Sequence, residues 1–309
     1  MLLGVDHIGV GVTDMEKALN FYSDLGFTSV DFDYSGPLPG MDKVAGREVK
    51  EARVVHLRSG NPSSLGLGNL KLVQILDGEV PPLPDGIGWG EPGICEVCVH
   101  ATNQAELYRH MVEDRGATSL MEPNDTVTTP YDIKCGLSYI ADPFGGKMEL
   151  IEWYGPQTDW QMDEGPHGVN HVAFGTSDIE RTREYYRGLG FTGMLFDSNG
   201  KFDPMEPWYV GREAPTQHMI LLTNPHGAGL EPVQHDPPSP EMRGEWGHVG
   251  PMDFGIGTTS LDDEVTSLKE QGFEFLSEVQ EVSADGKTWR YVYLVEPDSN
   301  YVSLSESKF

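Results

Sequence analysis

The sequence is poor in cysteine and has no long hydrophobic run. Three cysteines in 309 residues are too few for a disulfide scaffold. No window approaches the ~20 apolar residues that a membrane-spanning helix needs, and the first residues, MLLGVDHIGVGV, lack the basic segment of a signal peptide. We therefore expect a soluble, cytoplasmic protein that makes no membrane contact.

Basic side chains are also scarce. The sequence contains 21 lysines and arginines and 49 acidic residues, which gives a formal net charge of −28. A nucleic-acid site needs a basic surface that displaces counterions, so the charge excludes nucleic acid as a partner. An apolar content of 38% still excludes a disordered chain. The length predicts about two domains.

Two of the cysteines form a C-x-x-C motif. Cys95 and Cys98 lie in GICEVCVHA, which alternates like a β-strand. Alternation would place the two thiols on opposite faces, whereas a metal or redox pair needs both on one side. We interpret both cysteines as structural.

An internal repeat runs through the chain. The segment GVDHIGVGVTDMEKALNFYSDLGF at 4–27 matches GVNHVAFGTSDIERTREYYRGLGF at 168–191. Residues 1–155 and 165–309 are therefore duplicated halves, and the polar segment GPQTDWQMDEGP between them is typical of a linker.

Each half divides again into two modules. The hydrophobic pattern of each module predicts the order strand, helix and three strands, with Asp14 and Asp178 as helix N-caps. The modules lie near residues 1–77, 90–155, 165–236 and 246–309. This predicts an α+β fold of four βαβββ modules. We expect the two modules of each half to pair, so that 1–155 and 165–309 each form one cup-shaped domain.

The quoted motifs resemble a known family. DHIGVGVTDMEKALNFYSDLGF, together with IADPFGGKMELIEW later in the same half, is similar to the vicinal oxygen chelate superfamily. This group includes glyoxalase I, methylmalonyl-CoA epimerase, fosfomycin and bleomycin resistance proteins, and extradiol dioxygenases. The resemblance implies one divalent metal ion in a cup (Fe, Mn, Ni or Zn) and a small-molecule substrate. A homodimer is a further expectation.

The resemblance also places ligands on the first and last strands of each module. In the N-terminal half these positions hold His7, Glu96 and Glu149 as metal ligands, and Lys71 as the fourth residue. Glu96 can serve as ligand and as catalytic base. Lys71 cannot ligate a metal, so we expect it to pair with a carboxylate or to orient an anionic substrate. Tyr139 is the remaining catalytic candidate, because extradiol enzymes carry an assisting tyrosine at its spacing from the last-strand glutamate.

An alternative site lies in the C-terminal half. The matching positions there hold His171, Glu231 and Asp253, while Ser303 is a poor ligand. The N-terminal site is favoured because ADPFGGKMEL, which contains Glu149, matches the family's last strand more completely.

Strand alternation supports the placement of these residues independently of the family. Ile8 and Val10 would face the helix of the first module, which leaves His7 and Gly9 on the cup side. A histidine with a small neighbour on the same face leaves room for a metal and a substrate.

Three functions remain open at this point. Proton transfer through a metal-stabilised enolate, as in glyoxalase-like isomerases and lyases, suits one histidine and two glutamates. An extradiol-type ring-cleaving dioxygenase has four modules as well, but it needs two histidines and one carboxylate. A non-catalytic binding protein of the bleomycin-resistance type is the third alternative, and the presence of His7 and Glu149 argues against it.

Overall fold

The computed structural model confirms four βαβββ modules. It describes residues 1–83, 89–126, 134–154, 162–209, 211–239 and 243–309. Residues 155–161, which make up most of the predicted linker GPQTDWQMDEGP, lie outside the described part of the chain. No helix in the described part of the chain is long and apolar enough to cross a membrane.

The elements of each module follow the predicted order. The first module contains β1 (Leu2–Gly11), α1 (Met15–Asp24), β2 (Ser29–Leu38), β3 (Val49–Arg58) and β4 (Asn69–Ile75). The second contains β5 (Gly93–Ala101), α2 (Gln104–Arg109), β6 (Thr118–Thr126), β7 (Lys134–Ala141) and β8 (Lys147–Tyr154). The third contains β9 (Pro166–Gly175), α3 (Ile179–Gly188), β10 (Gly193–Gly200), β11 (Thr216–Thr223) and β12 (Gly229–Asp236). The fourth contains β13 (Gly250–Thr258), α4 (Leu261–Glu270), β14 (Gln280–Ala284), β15 (Lys287–Tyr293) and β16 (Val302–Lys308).

The helices begin where the sequence predicts. Asp14 accepts a hydrogen bond of 3.0 Å from the backbone N–H of Lys17, and Asp178 accepts one of 3.0 Å from that of Arg181. Each aspartate thus satisfies one of the N–H groups that a helix leaves open at its start.

The pairing of the modules differs from the prediction. One eight-stranded sheet has the order β14-β15-β16-β13-β1-β4-β3-β2, and the other has β10-β11-β12-β9-β5-β8-β7-β6. Modules 1 and 4 therefore share a sheet, here called the outer cup, and modules 2 and 3 share the other, here called the inner cup. The halves 1–155 and 165–309 each contribute one module to each cup. The reason is that the cups close through antiparallel pairing of first strands, β1 with β13 and β5 with β9.

The main core lies on the helix side of both sheets. Ile8 and Val10 belong to this core, as do Val172 and Phe174 in the third module. The alternation predicted for the first strands is thus confirmed. Each cup interior has a separate, largely aromatic and aliphatic cluster, with Trp246, Trp289 and Tyr293 in the outer cup.

A tight turn before the last strand of modules 2 and 4 fixes how that strand enters the sheet. Asp142 accepts 2.8 Å hydrogen bonds from the N–H groups of Phe144 and Gly146, and another of 2.8 Å from the hydroxyl of Tyr22. Glu296 accepts 2.9 Å bonds from the N–H groups of Asp298 and Asn300 in the equivalent turn.

Glu296→Gln is expected to change how stability depends on pH. Burial raises the pKa of Glu296 from 4.5 to about 7. The folded state therefore favours the protonated form, so the contribution of Glu296 to stability is greatest below pH 4.5 and is lost as the pH rises through about 7. Ionisation of this one carboxyl costs about 3 kcal/mol. Urea unfolding at pH 5 and pH 8 should show a smaller loss for Glu296→Gln than for wild type. Gln in place of the exposed Glu278 is the control, and equal losses in all three proteins would contradict the prediction.

Candidate metal centre

Strand register gathers four polar side chains in the inner cup. His171 on β9 pairs with Cys98 on β5, and Glu149 on β8 lies beside the same Cys98. Ala173 on β9 pairs with Glu96 on β5, and Glu231 on β12 lies beside the same Ala173. The candidate site therefore takes Glu96 and Glu149 from one predicted ligand set and His171 and Glu231 from the other.

The imidazole of His171 lies at the centre of three carboxylates. Its Nε2 is 3.3 Å from Glu149 Oε2, 3.3 Å from Glu231 Oε2 and 3.8 Å from Glu96 Oε1. All four side chains are at most 7% exposed. His171 Nε2, Glu96 Oε1 and Glu149 Oε2 have no hydrogen-bond partner. Burying several carboxylates around one imidazole is costly, and a cation bound between them would reduce that cost.

Charge within the cluster shifts its protonation. Burial raises the pKa of Glu96 well above its ordinary value, and the charges of Glu149 and Glu231 raise it further. Burial alone would lower the pKa of His171, but the Glu231 and Glu149 carboxylates outweigh it and raise the pKa to about 10. Both shifts favour proton binding, which reduces the net negative charge of the cluster.

Neighbouring residues orient two of the four side chains. Trp89 Nε1 donates a 2.7 Å hydrogen bond to Glu96 Oε2, which leaves Oε1 directed at the cluster. The Nδ1 of His171 lies 2.9 Å from Asn170 Oδ1, and Asn170 Nδ2 donates to Ser64 Oγ at 3.1 Å. The bond to Ser64 fixes the amide so that its oxygen accepts from His171 Nδ1–H. The lone pair of neutral His171 is then on Nε2, where a metal would bind.

Asn170→Ala is expected to weaken metal binding by about 10–100-fold, because the bond that orients His171 is lost. The equivalent residue of the outer cup is Asp6, whose Oδ2 lies 2.9 Å from His7 Nδ1. Asp6→Ala is therefore the matched control and should leave affinity unchanged. Competition with a metallochromic chelator measures both, and wild-type affinity in Asn170→Ala would refute the orienting role.

The donor set fits a divalent metal ion. One imidazole nitrogen and three carboxylate oxygens suit Zn²⁺, Mn²⁺, Ni²⁺ or Fe²⁺. Glu96, His171 and Glu231 can each place one donor atom within 4.8 Å of the others. Cys98 Sγ lies within the same distance of donor atoms of Glu149 and His171. Burial and the Glu149 charge raise the pKa of the Cys98 thiol well above its ordinary value, and a bound divalent ion would act in the opposite direction.

Sequence reasoning missed several of these residues. Trp89 and Asn170 lie at repeated positions of the sequence, but their roles, like that of Ser64, depend on contacts across strands and modules. Cys98 was predicted to face away from Cys95, but both belong to the cluster inside the inner cup. The register of β5 shifts between Ile94 and Glu96, and a shift of this kind breaks the alternation on which that prediction relied.

The other predicted site residues lie in the outer cup. His7, Lys71 and Asp253 are fully buried there, on the sheet that does not contain Glu96 and Glu149. Lys71 Nζ donates a 2.8 Å hydrogen bond to Asp253 Oδ2. The predicted grouping of His7 and Lys71 with Glu96 and Glu149 is therefore wrong, and so is that of Asp253 with His171 and Glu231. The cause is the exchanged pairing of the modules.

Tyr139 lies in the inner cup beside the cluster. It pairs in register with Glu149 on the neighbouring strand, is 2% exposed and meets the ring of Trp208 edge-on at 4.8 Å. Burial and the Glu149 charge raise the pKa of Tyr139 well above its ordinary value. Its hydroxyl therefore remains a hydrogen-bond donor over the physiological pH range.

Comparison with known proteins supports the family assignment. Residues 4–150 match the family model of the Glyoxalase/Bleomycin resistance protein/Dioxygenase superfamily. These residues belong to that superfamily. No curated protein matches the sequence.

Solved structures that share this fold cover almost the whole chain. The V278E variant of glyoxalase I from Zea mays has a TM-score of 0.63 at 15% identity, over 98% of this chain and 92% of its own. Glyoxalase I from Zea mays has a TM-score of 0.59 at 14% identity, over 99% and 92%. A provisionally named dioxygenase from Bacillus subtilis subsp. subtilis str. 168 has a TM-score of 0.58 at 11% identity, over 99% and 85%. Identities this low show a shared fold and leave the reaction to be argued from the site.

Proposed function

We propose that this protein is a divalent-metal-dependent enzyme that moves a proton on a small oxygenated organic substrate, in the manner of a glyoxalase-like isomerase or lyase. The observation that carries the proposal is the convergence of Glu96, Glu149 and Glu231 on His171 Nε2 inside a closed cup. A bound divalent ion would polarise two adjacent substrate oxygens and make the neighbouring C–H more acidic.

Glu96 is the residue to which we assign the proton transfer. The hydrogen bond from Trp89 holds one carboxylate oxygen, and the other has no partner. The side chain can therefore accept a proton on Oε1 without losing its position.

The walls of the inner cup suit a small substrate with an apolar body. Trp89, Tyr139 and Phe196 belong to the cluster that lines the interior, and Trp208 packs against it. Tyr139 can donate a hydrogen bond to a substrate oxygen. Both cups are built from modules of one chain, so this activity does not need the homodimer. The homodimer and the cytoplasmic location stay predictions from the sequence.

The site favours proton transfer over ring cleavage. The extradiol iron site needs two histidines and one carboxylate. Among the four strand positions of the inner cup, only His171 is a histidine. With three glutamates in the inner cup, one carboxylate can act as the catalytic base while the others bind the metal.

The experiment compares two reactions of the metal-loaded protein. Solvent deuterium exchange at the α-carbon of hydroxycarbonyl compounds and of 2-oxoaldehyde thiol adducts is followed by NMR, and oxygen uptake is followed with catechols. We expect deuterium exchange without oxygen uptake, lost in His171→Ala and kept in His7→Ala, its counterpart in the outer cup. Oxygen uptake with catechols would instead favour the dioxygenase. Ligand binding without either reaction and without metal would favour the bleomycin-resistance-like binding protein.

A further inference from the structure

The first strands of the two cups pair in the same register. In the inner cup, His171 pairs with Cys98, and Glu96 pairs with Ala173. In the outer cup, His7 pairs with Gly255, and Asp253 pairs with Gly9. His7 is therefore the counterpart of His171, and Asp253 is the counterpart of Glu96.

The last strands complete the correspondence. Lys71 lies beside Gly9 as Glu231 lies beside Ala173. Ser303 lies beside Gly255 as Glu149 lies beside Cys98.

The aromatic residues around the cups also correspond. Trp246 Nε1 donates to Asp253 Oδ2 at 3.0 Å, as Trp89 Nε1 donates to Glu96 Oε2 at 2.7 Å. Tyr293 donates to Asp253 Oδ2 from the position that Tyr139 occupies in the inner cup. A tryptophan that donates to the first-strand acid and a tyrosine at the same strand position are thus common to both cups.

The two cups differ in charge. At its four strand positions the inner cup has three carboxylates and one imidazole, whereas the outer cup has one carboxylate, one ammonium group, one imidazole and the hydroxyl of Ser303. Lys71 and Asp253 are each 0% exposed and form an ion pair of 2.8 Å. The Lys71 ammonium also lies 5.3 Å from the ring centroid of Trp289, which gives it a favourable cation–π contact.

The packing of the outer cup is adapted to this ion pair. A Cβ on Gly9 would overlap Asp253 Oδ1 and would lie 3.0 Å from Lys71 Cε. The counterpart of Gly9 in the inner cup is an alanine. Glycine at position 9 therefore lets Asp253 and Lys71 lie directly against the strand.

We propose that Lys71 is a built-in cation that replaces a divalent metal ion in the outer cup, and that this cup becomes a divalent-metal site when Lys71 is exchanged for glutamate. His7 Nε2 and Asp253 Oδ1 are buried without hydrogen-bond partners and are available as ligands. His56 is a further nearby imidazole, with its ring centroid 5.1 Å from that of His7 and its Nε2 also without a partner. The carboxylate of Lys71→Glu would add an oxygen donor to His7 Nε2 and Asp253 Oδ1.

This inference rests on the proposed function only in that the inner cup is taken to hold a metal ion. The outer cup of the wild-type protein is then expected to be independent of metal. Chelators should act on the inner cup alone.

The test counts bound Zn²⁺ after removal of metal, reloading and gel filtration, by elemental analysis. We expect one equivalent in wild type and two in Lys71→Glu. Lys43→Glu is the matched control, because it makes the same charge change at a lysine whose side chain is 66% exposed, and it should hold one equivalent. Zn²⁺ should also raise the melting temperature of Lys71→Glu more than that of wild type.

Each outcome separates this inference from the proposed function. One equivalent in both wild type and Lys71→Glu would overturn the inference and leave the proposed function intact. No equivalent in wild type but one in Lys71→Glu would support the inference and refute metal binding by the inner cup. If Lys71→Glu is obtained only unfolded, it is refolded with and without Zn²⁺. Folding that needs Zn²⁺ supports the inference, and failure in both conditions overturns it.

Discussion

Lys71→Met is expected to lower the free energy of unfolding by about 3–5 kcal/mol, because it leaves a buried carboxylate without its countercharge. Burial alone would raise the pKa of Asp253, but the charges of Lys71 and His7 outweigh burial and hold it below its ordinary value. Lys71→Met removes the larger of these two contributions and leaves the hydrogen bonds from Trp246 and Tyr293 in place.

The pH dependence and a double variant test this explanation. A protonated Asp253 needs no countercharge, so the loss in Lys71→Met should be smaller at pH 4 than at pH 8. Lys71→Met combined with Asp253→Asn removes both charges and should recover much of the loss. Urea unfolding followed by tryptophan fluorescence measures all four proteins of the cycle. A loss below about 1 kcal/mol in the single variant would show that the pair contributes no more than a surface ion pair does.

Glu96→Gln is expected to reduce the rate of proton transfer by about 10²–10⁴-fold, as is typical when a general base is removed. The amide keeps an oxygen for the hydrogen bond from Trp89 but cannot accept the proton. Glu149, His171 and Glu231 remain as ligands, so metal content should stay close to that of wild type. Solvent deuterium exchange and elemental analysis on the same sample separate the two effects.

His56→Ala is the control for Glu96→Gln, because it removes a buried ionisable group from the other cup. It should leave the exchange rate unchanged. If Glu96→Gln keeps the wild-type rate, the proton acceptor is another group.

The sequence alone predicts the modules because their signal is local. Capping aspartates, alternation in the first strands and the repeated spacing around His7 and His171 all lie within short segments. The eight strand positions come from the family resemblance, and the structure places each of them inside a cup. Glu149 and Glu231 are examples, each on the last strand of its module.

The grouping of those positions could not be predicted from the same signals. Modules 1 and 2 are neighbours in the chain, yet β1 pairs with β13 and β5 pairs with β9. Each first strand has similar hydrophobic alternation, so nothing local distinguishes one partner from another. This choice places His171 with Glu96, and His7 with Asp253.

Charge complementarity predicts that Lys71 pairs with a carboxylate, but sequence reasoning did not apply it to the pairing of the modules. Lys71 is the one basic residue among the eight cup positions. A buried lysine requires a carboxylate partner without competing ligands. Asp253 and Ser303 in the outer cup meet that requirement for Lys71. The three glutamates and one histidine of the inner cup are instead suited to a metal ion taken up from solution.

The most direct test of the proposed metal centre is the metal content of three proteins. Wild type, His171→Ala and His7→Ala are purified without chelators, reloaded with Zn²⁺, gel filtered and analysed for bound metal. We expect one equivalent in wild type and in His7→Ala, and none in His171→Ala. Metal that is kept in His171→Ala and lost in His7→Ala would contradict the assignment of the metal centre to the inner cup.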